Sequence, residues 1–154
     1  MYVAFTCIIF LVAFIVQTSM LGFLNYKPDL ILVIVVYLGL VKGSDVGSLG
    51  GFCSGLVLDS YSGMHFGVNA LSKTVLGFVS GIIGKRLYTQ SLFAHMLCVV
   101  IATILNMGII FSLQGGDSRW RALILYEILE NVACCPLIVF LFRAGERRLR
   151  ITTY

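Results

Sequence analysis

Three residues place a full charge inside long apolar runs of this sequence, and any chemistry starts with them: Lys73, Glu127 and Glu130. An ionisable group in such a run is costly, so it turns toward the protein interior and finds a partner, or loses its charge. Glu127 and Glu130 lie three apart, on one helical face that Asn131 continues. A proton or cation relay would use such a pair, although a structural pair is simpler. Gln17 and Asn106 are the uncharged polar groups in comparable positions, and Asp59 follows three glycines at a spacing of four. That aspartate either meets a partner or ligand at the outer surface or caps the turn after it.

Enzymatic chemistry finds little support. A serine protease of the intramembrane kind, with Gly-x-Ser-Gly, would need glycine where Phe52 stands, and the last apolar run has no histidine to activate a serine. A His-Glu-x-x-His zinc site is missing as well. His65 reads as a solvated loop residue, whereas His95, near the start of an apolar run, stays ambiguous. Cys7, Cys53, Cys98, Cys134 and Cys135 all fall in apolar runs without a Cys-x-x-Cys pair and read as small hydrophobes. No metal or cofactor is expected.

The elements that must position these groups are membrane helices. Of 154 residues 59% are apolar and 12% charged, with a mean hydropathy of +1.00, too little polar surface to cover a soluble domain. The pattern predicts an all-α membrane protein, one transmembrane domain over 1–154, with spans at about 3–24, 28–42, 45–60, 66–84, 92–113 and 120–142 and a basic tail at 143–154. The first run reads as a span rather than a cleaved signal peptide, since it is too long for one and no Ala-x-Ala site follows. The second and third runs are short, so tilted spans are preferred over a re-entrant hairpin that would bury Lys42 and Asp45. Pro28 suits a helix start, Trp120 an interfacial anchor, and Pro136 a kink near Val132.

An even number of spans puts both termini on one side. Placing them in the cytoplasm puts Lys42, Lys85, Arg86, Arg143, Arg147, Arg148 and Arg150 inside and Lys27, Arg119 and Arg121 outside, as the positive-inside rule favours. The basic tail reads first as a topology signal and second as an attraction for anionic lipid. In this frame Gln17, Lys73, Asn106 and Glu127 each fall about 10 Å below the outer helix ends. The expectation is a polar layer, with Lys73 paired to Glu127 and Gln17 and Asn106 satisfying the remaining hydrogen-bonding groups, lining a small outward cavity or a buried network.

Gly47, Gly51 and Gly55 share one helical face with Asp59, and Ala70, Lys73 or Thr74, Gly77 and Gly81 repeat the small-residue spacing on the next run. Such faces let helix backbones approach closely. They serve either packing within the bundle or a groove for a partner helix.

The stretch from Lys27 to Arg86 resembles the MreD family of rod-shape membrane proteins. The resemblance rests on Pro28-Asp29-Leu30, an apolar helix ending Tyr37-Leu38-Gly39-Leu40, Gly51-Phe52, Gly55-Leu56, Asp59, Gly63, Gly67, Asn69-Ala70-Leu71 and Gly77-Phe78, with Gln17-Thr18 in the first run. It implies six transmembrane helices with a fold similar to the substrate-binding subunits of energy-coupling-factor vitamin transporters. It further implies a non-enzymatic scaffold in the bacterial cytoplasmic membrane that binds MreC, a bitopic protein, and through it joins MreB filaments to RodA and its transpeptidase partner. A vitamin-capturing transporter subunit is the alternative. It fits less well, because the loops are short, the aromatics are scattered and the first run lacks an Ala-x-x-x-Ala docking pattern. Membrane lipid is the other expected contact, and nucleic acid is not.

Overall fold

The computed structural model describes residues 2–20, 28–62, 66–86, 91–114 and 120–148. Six helices follow in chain order: α1 (Tyr2–Ile15), which continues into a π-helical turn (Val16–Met20), α2 (Leu30–Lys42), α3 (Ser44–Ser62), α4 (Val68–Gly84), α5 (Leu92–Gln114) and α6 (Trp120–Arg148). Among the described residues there is no strand.

The helix α2 is the axis of the bundle. Leu-Ile-Leu-Val-Ile-Val-Val gives it no polar face, and a helix that is apolar all round is stable only when enclosed. Every residue from Ile31 to Leu40 is buried, and α2 packs against each of the other five helices. Those five turn large apolar side chains outward, among them Leu11, Leu49, Phe93, Leu129 and Phe140. An apolar exterior around a packed core suits a lipid surround.

At 13 residues, α2 is only about 20 Å long, well under a hydrocarbon core of roughly 30 Å. Its two ends are pinned at identifiable heights on α6. The Lys42 ammonium pairs with Glu146 at 3.0 Å, and the Asp29 N–H donates to Asn131 Oδ1 at 2.8 Å. From Asn131, α6 runs on to Trp120, about 16 Å further. The N-terminus of α2 therefore lies within the bundle, not at its surface. Gly43 alone joins α2 to α3, at φ 97°, a left-handed conformation that favours glycine.

Two boundaries differ from the sequence reading. α6 does not stop at Phe142 but continues to Arg148, so the basic tail begins as helix. The Lys42–Glu146 ion pair and Gly145 packed against the Phe5 ring hold that extension to the bundle. Pro136 lies inside α6, which stays helical on both sides of it. Residues 21–24 of the first expected span, His65, the 115–119 loop and the Trp120 side chain lie outside what is described. Near Lys42 the core is aromatic: Tyr37 stacks on Phe142 at 4.7 Å, and Phe5 meets Phe142 edge-on at 6.1 Å.

Candidate functional site: a glycine seam and a buried polar chain

The glycine stripe lies inside the bundle. A Cβ on Gly51 would overlap the carbonyl oxygen of Lys73, one on Gly55 the backbone of Ala70, and one on Gly81 the backbone of Ser44. At Gly47 the hypothetical Cβ falls 2.5 Å from the Gly77 carbonyl oxygen, and at Gly39 2.6 Å from the same oxygen. The seam thus joins α3 to α4 and α2 to α4, at a separation only hydrogen side chains allow. It holds the backbone of residues 69–81 in a fixed register, and the polar residues of α4 depend on that register.

Asp59, at the end of α3, is 1% exposed. Its Oδ2 accepts from the N–H groups of Gly67 at 3.0 Å and Ala70 at 2.9 Å. Its Oδ1 accepts from the N–H and the side-chain amide of Asn69, both at 3.0 Å. The carboxylate supplies the acceptors that the first turn of α4 lacks, where the helix dipole also favours negative charge. Of the two uses open to Asp59 in the sequence, its oxygens serve the cap.

From Asn69 the contacts run on. Lys73, with no exposed surface, donates to Asn69 Oδ1 at 3.3 Å and to Asp29 Oδ2 at 2.7 Å. The other Asp29 oxygen accepts the Leu32 N–H at 3.0 Å, capping α2. Asn131 accepts the Asp29 N–H and donates through Nδ2 to Thr103 Oγ1 at 3.0 Å. A hydrogen-bonded chain therefore passes through Asp59, Asn69, Lys73, Asp29, Asn131 and Thr103, linking α3, α4, α2, α6 and α5. Beside it Ser72 donates to Asn106 Oδ1 at 2.6 Å, and Gln17 Oε1 lies 3.5 Å from the Ile31 N–H.

The expected pairing of Lys73 with Glu127 is corrected here: the counter-ion is Asp29. Asp29 stands at the start of the expected span 28–42, and the buried N-terminus of α2 carries it to the centre of the layer. Glu127 is buried too, at 7% exposed, and stays within electrostatic reach of Asp29, Lys73 and Glu130. Gln17 and Asn106 do not complete a Lys73–Glu127 pair; they serve Ile31 and Ser72. Glu130 is half-buried, and its Oε2 is buried with no hydrogen-bond partner. His95 packs on the Tyr37 ring, its Nδ1 2.9 Å from the Ser91 carbonyl oxygen. The signal that could have found Asp29 was local, an acidic residue immediately before an unbroken apolar run, which is where helix caps sit.

The model of the family described as rod shape-determining protein MreD matches residues 1–144. The chain belongs to that family. Its members are shape-determining membrane proteins. Comparisons with curated proteins and with solved structures gave no match. The match spans α1 to α5 and nearly all of α6, so both the glycine seam and the polar chain lie within it.

Proposed function

We propose that this chain is a non-enzymatic scaffold subunit of the rod-shape machinery in the bacterial cytoplasmic membrane. It holds an MreC-like bitopic protein and through it couples MreB filaments to RodA and its transpeptidase partner, in support of lateral peptidoglycan synthesis. The observation that carries this reading is the family match over residues 1–144. The geometry suits it: Asp59 and Asn106 bind α4 and Lys73 of α4 binds Asp29 at the start of α2, which makes a stiff body and leaves helix faces as the surfaces for association. The chain passes six times through the membrane in this proposal, the short α2 covering only part of its pass and starting inside the protein, with both termini cytoplasmic and the Lys42 end of α2 toward the cytoplasm. The vitamin-capturing alternative is not carried forward, because the polar groups that would line a pocket are committed to Asp29, Ser72 and the start of α4.

Affinity purification of the full chain in mild detergent tests the reading. Recovery of an MreC-like protein is expected, and recovery of transporter ATPases in its place would overturn it.

A further inference from the structure

Lys73 is the single ammonium facing the polar layer among the described residues, and Asp29 takes it at 2.7 Å. Two more carboxyl groups, Glu127 and Glu130, lie one turn apart on α6, and the buried Oε2 of Glu130 has no hydrogen-bond partner among the described residues. Glu127 lies within electrostatic reach of Asp29 and Glu130 as well as Lys73, so three carboxyl groups share one ammonium. A carboxyl group at this depth in lipid calls for a cationic or hydrogen-bonding neighbour.

The place of Glu130 on α6 says where that neighbour would come from. Positions 130, 133, 137 and 140 follow the alternating three and four spacing of a helix-packing seam. Three of them are exposed: Ala133, Leu137 at 61% and Phe140 at 69%. Ala133 is small, which allows a close crossing one turn from Glu130. Glu130 lies at the edge of this stripe, between it and the buried Glu127 and Asn131.

We propose that the face of α6 formed by Glu130, Ala133, Leu137 and Phe140 docks a single membrane helix of the partner protein, and that a basic side chain on that helix pairs with Glu130. The inference rests on the scaffold reading and adds the surface and the chemistry of contact. Charge complementarity selects the occupant: a basic residue within a lipid-embedded helix needs an acidic partner as much as Glu130 needs a basic one.

The test uses the full chain co-expressed with the full-length MreC-like protein, with a photo-crosslinking amino acid at Leu137 or Phe140, and at Phe78 on α4 or Ile104 on α5 as controls. Crosslinks from Leu137 and Phe140 and none from the controls are expected. Glu130→Gln should weaken recovery of the complex about tenfold while leaving the thermal stability of the isolated chain unchanged, since Glu130 Oε2 has no hydrogen-bond partner among the described residues. Recovery should return when Glu130→Lys is combined with an acidic residue in place of the partner's basic one. Crosslinks from Phe78 or Ile104 alone would overturn the surface and spare the scaffold reading. Crosslinks at Leu137 with an unaffected Glu130→Gln complex would overturn the charge pairing while keeping the surface. Failure to recover the partner with the unmodified chain would overturn the scaffold reading itself.

Discussion

Removing the Lys73 ammonium tests the central contact most directly. Lys73→Met keeps the length and apolar stem of the side chain but leaves Asp29, whose side chain is 12% exposed, without its 2.7 Å counter-ion. Breaking a buried ion pair from one side costs about 3–5 kcal/mol. Asp29 still accepts the Leu32 N–H at 3.0 Å and sits at the positive end of α2, so the lower end, about 3 kcal/mol, is expected. Asp29→Asn should cost as much, since it leaves a fully buried ammonium with Asn69 Oδ1 alone at 3.3 Å. The double variant leaves neither charge unpaired and keeps the amide oxygen as a cap for α2. It should therefore be milder than the sum of the singles by about 2 kcal/mol or more. Thermal unfolding of the purified protein in mild detergent reads this as single-variant drops on the order of 6–12 °C. A Lys73–Asp29 coupling under about 0.5 kcal/mol would refute the reasoning, and so would a larger coupling of Lys73 to Glu127 than to Asp29.

Adjacent glycines should behave oppositely. Gly51→Ala should destabilise strongly, because its Cβ overlaps the Lys73 carbonyl oxygen, whereas Gly50→Ala, whose Cβ would sit 3.6 Å from the nearest side-chain atom, should be neutral or slightly stabilising in the same melt; equal behaviour of the two would remove the seam from the account. Asp59→Ala deprives three backbone N–H groups and one amide of their acceptor and should cost about 2–4 kcal/mol, read as lower abundance and faster amide exchange at Gly67 to Ala70. Reagents that cannot cross the membrane should label single cysteines placed at Ser62 and Asp117 from outside and leave Lys85→Cys and the C-terminus unlabelled; outside labelling of the C-terminus would defeat the six-span topology.

The helices were legible because apolar run length encodes them, and the glycine seam because spacing by four on a helix is geometry. Which surface a glycine stripe meets is a tertiary fact. Gly51 faces Lys73 because α4 folds back on α3, and nothing in the glycines themselves says so. Depth counting brought Lys73, Asn106, Glu127 and Gln17 to one level. It chose the wrong anion because it assumed that every helix begins at the membrane surface. Asp29, at the very start of the expected span 28–42, thereby fell above the layer, and Glu127 was the carboxyl at the depth of Lys73. The continuation of α6 past Phe142 was hidden by the assumption that charges end a span, although Glu146 meets Lys42 at 3.0 Å and keeps the helix docked.

The buried start of α2 gives the polar layer its physical reason. The first turn of any helix has N–H groups without intrahelical acceptors, and inside a bilayer water is not there to supply them. Three of the acceptors that α2 needs are side chains from the layer: Asp29 Oδ1 for Leu32 N–H at 3.0 Å, Gln17 Oε1 for Ile31 N–H at 3.5 Å, and Asn131 Oδ1 for Asp29 N–H at 2.8 Å. Asp29 brings a negative charge with it, and Lys73 answers that charge from α4. Lys73 reaches it only because α4 is held against α3 by the glycines, and α4 itself starts where Asp59 caps it. The seam and the chain are thus one device, in which close packing sets the register and the register satisfies a helix that begins inside the bundle. A bulky residue at Gly51 should therefore cost more than its own overlap, because it also withdraws the ammonium from Asp29. In a Lys73→Met background that second part is already lost, so Gly51→Ala should cost less there than in the unmodified chain. Equal cost in both backgrounds would show that the glycines and the ion pair act independently.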